Sequence, residues 1–182
     1  MKFATLGLAL PLLLALPLQV AAGPAVQNPR ELGKAEGRCR PGESGPALLV
    51  EAVGLKDRGG QMKLEIYPAN DKDFLADDSM LVAAGKTFRR VEVPTPQTGP
   101  VVLCVRLPGP GAYAVSLLHD RNVDHRFGWK VDGIGFSSNP KLGWSKPKAA
   151  ASRMVVASGG VSRISVVMNY KSGLGVAPLK QR

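Results

Sequence analysis

Apolar and polar side chains alternate along much of this chain, and the period is two residues. In 61–68, "QMKLEIYP", Met62, Leu64 and Ile66 share one face while Lys63, Glu65 and Tyr67 share the other. The run 101–111 puts Val101, Leu103, Val105 and Leu107 on one side before Pro108 to Gly111 turn it sharply. The next run, 112–120, does the same with Tyr113, Val115 and Leu117. Successive side chains on opposite faces are the geometry of a strand with one face buried. Two further strands are predicted at 47–55 and 86–94, the second stopped by Pro94 and Pro96.

Two late strands complete the pattern, at 152–158 and 161–170, and in the second Ile164, Val166, Met168 and Tyr170 share a face. Gly159-Gly160 between them predicts a hairpin, because glycine accepts the positive φ of tight hairpin turns. Only 70–82 has room for a helical turn, with an irregular crossover as the other reading. About seven short strands separated by Gly/Pro turns predict an all-β fold, an antiparallel β-sandwich of immunoglobulin-like or transthyretin-like architecture. An open barrel is the alternative. No internal repeat is visible.

The amino end departs from this pattern. Lys2 precedes a long apolar run, broken by Pro11 and Pro17 and closed by small residues at Val20-Ala21-Ala22. That layout predicts a secretory signal peptide over 1–22 rather than a membrane anchor. No later stretch is apolar for long enough to span a membrane. Residues 23–38 are polar and rich in Gly and Pro and are expected to be a flexible leader. The sandwich domain is placed at 39–170 and a basic carboxy-terminal tail at 171–182. Export implies the periplasm or the extracellular space, an oxidising compartment in which Cys39 and Cys104 are expected to form a disulfide.

The chain of 182 residues carries 24 Lys and Arg against 14 Asp and Glu, a formal charge of +10. Losing Lys2 with the signal peptide lowers this by one. The bases are dispersed rather than clustered, which describes a solvated surface, and no aromatic interleaving of the kind that grips single strands accompanies them. Nucleic acid is therefore not an expected partner. An anionic polymer of the cell envelope, or another envelope protein, fits the charge better.

Chemistry concentrates in one place. The two histidines, His119 and His125, fall in the stretch "HDRNVDH", where Asp120, Asn122 and Asp124 supply oxygens at every second position. His119 with Asp120 and a serine at 137 or 138 could form a base, its orienter and a nucleophile, but no Gly-x-Ser-x-Gly elbow is present. Aromatic residues Phe127, Trp129, Phe136 and Trp144 lie in the same long connection, 119–150. They predict either a small core folded over one sandwich edge or a ligand-contact surface, since loops at the end of a sandwich commonly carry binding.

The segment "GAYAVSLLHDRN" followed by "DGIGFSSNP" resembles the bacterial "domain of unknown function 2141" proteins, small exported proteins without an assigned role. The likeness rests on Gly111, Tyr113, Ala114, His119, Asp120, Asn122, Gly135, Phe136 and Ser137, and covers roughly 47–157. It implies a β-sandwich and export but no established activity. That family's loop often resembles an EF-hand calcium loop, and here Asp120, Asn122 and Asp124 fill the first, third and fifth ligand places. His125 stands where such a loop needs glycine, Gly128 stands where an acid is expected, and Asp132 comes one residue late. Arg121 and Arg126 add opposing charge.

The expectation drawn from the sequence is an exported, non-enzymatic envelope sandwich. It would bind or scaffold through His119, Asp120, Asn122, Asp124, Trp129, Phe136 and Trp144. No cofactor is expected: the loop reads first as a tight structural turn, with a weak calcium site on Asp120, Asn122 and Asp124 as the alternative. A hydrolase or transition-metal enzyme centred on His119 and Asp120 is the runner-up, and adhesion of the basic surface to anionic polymer the third reading.

Overall fold

The structure, a computed structural model, describes residues 28–156 and 160–180. The expected signal peptide lies outside the described residues. Ten strands are found among those described, in two sheets. The smaller sheet has the order β4-β1-β8, built from Val101–Arg106, Ala47–Val53 and Val161–Val167. The larger follows the order β10-β9-β6-β5-β2-β3, from Gly175–Pro178, Asn169–Ser172, Gly133–Phe136, Gly111–Asp120, Gln61–Pro68 and Arg89–Pro94. Strand β7, Arg153–Val156, pairs with the first half of β5, whose second half pairs with β6. All pairings are antiparallel except β1 with β8.

The alternating residues do what their period requires. Leu48 and Val50 of β1, Leu103 and Val105 of β4 and Val166 of β8 meet Met62, Leu64 and Ile66 of β2 and Val115 and Leu117 of β5 in one buried core. Each such side chain contributes about 1.5–3 kcal/mol by leaving water. The run 161–170 keeps its apolar face but serves both sheets. It pairs with β1 up to Val167, crosses over at Met168, and continues as β9 beside β6. Gly135 permits this crossing, because a Cβ there would lie 2.5 Å from Val166 and 2.8 Å from the Val167 carbonyl oxygen.

Three expectations need correction. Gly159-Gly160 does not join a hairpin, because β7 belongs to the larger sheet and β8 to the smaller. A glycine pair favours a turn, but β7 pairs with β5 and β8 with β1 instead of with each other. The leader is folded from residue 29 onward: Pro29–Glu31 and Lys34–Gly37 form short helical turns, Leu32 is buried, and Arg38 bridges to Val105. Cys39 and Cys104 form the expected disulfide beside that bridge, and it secures this segment to the body. A bridge closing so long a loop is worth about 2–4 kcal/mol. The tail is also folded, since β9 and β10 make a hairpin over residues 169–178 with Gly173 at φ +60° in its turn.

The stretch 70–82 resolves into a helix, Asp78–Ala83, whose N-cap Asp77 accepts from the Met80 amide at 3.1 Å. It shelters the outer face of the larger sheet, where Tyr67, Phe74, Phe88 and Phe136 form a second core with edge-to-face rings 5.4–5.8 Å apart. No helix among the described residues is long and apolar enough to cross a membrane.

Candidate functional site

The residues singled out in the sequence separate into two groups. His119 ends β5 on the inner face and is fully buried. Its Nε2 lies 2.7 Å from the Gly59 carbonyl and its Nδ1 2.7 Å from the Tyr170 hydroxyl. A carbonyl can only accept, so Nε2 carries the proton and Nδ1 accepts from Tyr170. Burial lowers the imidazole pKa, and burial likewise pushes the Tyr170 hydroxyl up to about 12. A neutral histidine with its lone pair engaged inside the sandwich joins the β1–β2 loop to β5 and β9. It has no free face for a substrate. Ser137 is equally enclosed, its hydroxyl donating to the Ser152 carbonyl.

Asp120 is also fully buried and acts on the loop that follows it. One carboxylate oxygen accepts from the Asp124 amide at 3.2 Å, the other from the His125 amide at 2.8 Å and Gln61 Nε2 at 3.0 Å. Asp132 accepts from the amides of Arg121 and Gly128 at 2.9 and 2.7 Å. Asp124 accepts from the Arg126 amide and from the Asn122 side chain, and the Arg126 N–H first among its partners lowers its pKa. Asp120, Asp124 and Asp132 can bring one oxygen each within 4.8 Å of one another. Asn122 turns its amide nitrogen toward Asp124, so Asp132 takes the place expected of Asn122. All six oxygens of these carboxylates already accept N–H groups, which is how a tight polar loop satisfies its backbone. Arg121 pairs with Asp57 at 2.5 Å, and this guanidinium holds the Asp57 carboxyl below its usual range.

The second group lies on the outer face of the larger sheet, opposite His119, and lines a cleft of about 780 Å³. Its floor is Ser116 and Leu118 of β5 with Ile134 and Phe136 of β6. These are outward-facing positions, and an apolar Leu118 there is out of step with a solvated strand face. One wall is the 142–147 loop carrying Trp144, the other the β9–β10 turn with Leu174 and Val176, and Phe127 and Trp129 stand at the mouth. Trp144 is 83% exposed, Leu174 75% and Trp129 43%. Apolar side chains left this open around a concave floor are uncommon on an ordinary protein surface.

Polar groups in the cleft are few and mostly committed. The Lys63 ammonium donates to the His125 carbonyl at 2.9 Å and lies 3.5 Å from Glu65. Glu65 belongs to a buried network, taking two hydrogen bonds from Arg90 at 2.8 and 2.9 Å and one from the Tyr67 hydroxyl at 2.7 Å. Arg90 also reaches Asp78 at 2.6 Å. Burial opposes its charge, and Glu65 and Asp78 outweigh burial and keep it protonated. Lys146 donates to the Phe74 carbonyl at 3.1 Å.

Trp129, Phe136 and Trp144 are thus brought together, while His119, Asp120, Asn122 and Asp124 lie apart in the structural loop. The sequence reading missed Leu118, whose place on the outer face of β5 was visible from the alternation. It also missed Leu174 and Val176, in a segment with too few apolar residues to show a period.

The family described as "Uncharacterized protein conserved in bacteria (DUF2141)" matches residues 50–164 of this chain. No curated protein and no solved structure matches it.

Proposed function

The chain belongs to this uncharacterised bacterial family, and from that premise we propose that it is an exported, non-enzymatic β-sandwich of the cell envelope that holds a small apolar ligand. The observation that carries the reading is the cleft on the larger sheet, with its buried apolar floor and three exposed aromatic side chains at its rim. A volume of about 780 Å³ suits one small molecule. The Cys39–Cys104 disulfide supports an oxidising compartment, the periplasm or the extracellular space. His119, closed in on both ring nitrogens, gives an enzymatic reading no support.

Two glycines make the test clean. Gly143 and Gly175 line the cleft, a Cβ at either meets nothing within 4 Å, and neither has a positive φ. Gly143→Trp and Gly175→Trp should therefore fill the cleft without straining the fold. The neutral fluorophore N-phenyl-1-naphthylamine should bind the wild-type protein saturably and both variants at least about tenfold more weakly, at unchanged melting temperature. Equal binding to wild type and variants would sink the reading.

A further inference from the structure

We propose that the occupant of the cleft is a single-chain anionic amphiphile. Its carboxylate or phosphate head would sit at Lys130 and Lys171 beside Trp129, and its alkyl chain would run over Leu118, Ile134 and Phe136. This deepens the ligand-binding reading above and rests on it. Apart from the Ser116 hydroxyl, the floor is the apolar surface of Leu118, Ile134 and Phe136, which suits an alkyl chain. A sugar needs a ring of free donors and acceptors, whereas Lys63 and Glu65 are engaged with each other, His125, Tyr67 and Arg90, and Lys146 gives one of its N–H groups to Phe74.

Two free charges stand beside Trp129, one of the lining residues. The Lys130 and Lys171 ammonium groups lie 5.7 and 5.3 Å from the centre of the Trp129 ring. Both lysines are exposed, and among the described residues neither forms an ion pair. Two cations on one indole, at the open end of an apolar cleft, complement a head of negative charge joined to an apolar tail. An indole at such a boundary presents its apolar body to the tail and stays wet at its edge. The cleft is walled on two sides, by the 142–147 loop and the β9–β10 hairpin. That shape takes up a dissolved monomer rather than resting on a bilayer.

The test compares decanoate, 1-decanol and decyltrimethylammonium by displacement of N-phenyl-1-naphthylamine, all below their aggregation limits. Decanoate should bind about five- to tenfold more tightly than decanol, and the cation more weakly than either. From octanoate to dodecanoate each added CH₂ should tighten binding about three- to fourfold. The double variant Lys130→Gln/Lys171→Gln should bind decanoate no better than decanol and leave decanol unchanged. The decanoate advantage should shrink in high salt, because exposed charges are screened. Binding of the neutral probe with no preference among the three heads would overturn this inference and leave the apolar cleft standing. No binding of any amphiphile or of the probe would remove both. Retention on anionic phospholipid vesicles without uptake of decanoate would assign the basic mouth to a membrane surface and overturn the monomer assignment.

Discussion

The Tyr170 hydroxyl donates to His119 Nδ1 at 2.7 Å, across a contact in which the two rings meet nearly at right angles. The second nitrogen of His119 holds the Gly59 carbonyl, so one imidazole ties a loop to two strands. Tyr170→Phe would leave Nδ1 buried without a partner and should lower stability by about 1–3 kcal/mol in urea unfolding. A loss below about 0.5 kcal/mol would mean that the bond is not formed in solution.

The same histidine sets a pH dependence. Its folded pKa lies below the ordinary imidazole value of about 6.5, so the unfolded chain binds the proton more readily. The stability it contributes is fully present above about pH 6.5 and is lost as the pH falls from there toward the folded value. An NMR titration of the imidazole resonance reads this directly. The His119 resonance should titrate below that ordinary value, and a His119 midpoint at or above it contradicts the buried neutral state.

Arg90 and Glu65 test the outer face. Removing the arginine alone, as Arg90→Leu, leaves a buried carboxylate with much of its partnership gone and should cost about 3–5 kcal/mol. The double variant Arg90→Leu/Glu65→Leu should recover most of that loss. Simple additivity of the two single variants would show that the charges do not act as a pair.

Val123 and His125 hold φ of +57° and +66°, a region unfavourable to side chains and most of all to a β-branched one. Val123 is about half exposed, so little packing is at stake. Val123→Asn, a residue that tolerates this conformation, should raise stability by about 0.5–1 kcal/mol. A loss instead would mean that the valine side chain makes a contact worth more than the strain.

The acidic loop can be examined with calcium directly. A site of millimolar affinity would add about 1 kcal/mol at about 5 mM calcium, which is about 2–4 °C for a chain of this size. Since the six oxygens of Asp120, Asp124 and Asp132 are taken by N–H groups, the melting temperature should be the same in calcium and in chelator. A saturable rise would instead assign the loop a structural cation.

Much of this architecture is legible in the sequence, because a strand with one buried face writes its period into the chain. Met62, Leu64 and Ile66 could hardly be placed otherwise. Partnership is less visible. The pairing of β1 with β8 joins segments from the two ends of the domain, and no local feature of 47–53 points to 161–167. Hidden for a different reason is Leu32, a single apolar anchor among polar neighbours that makes no pattern until the body it packs on exists. At the site, the rim aromatics Trp129 and Trp144 announced themselves by lying in a polar loop. The place of His119 was not legible: its chemistry is reactive in general, but its burial is a property of the fold, not of the motif.

The crossing of β8 into β9 at Met168 carries a consequence for how the chain assembles. The smaller sheet is complete only with β8 and the larger only with β9 and β10, so one continuous segment, residues 161–178, completes both layers. Pairings this distant along the sequence make folding slow, since the entropy of a long loop is lost before any contact repays it. One segment thus couples the two layers, and a change that loosens β8 should be felt in β9 as well.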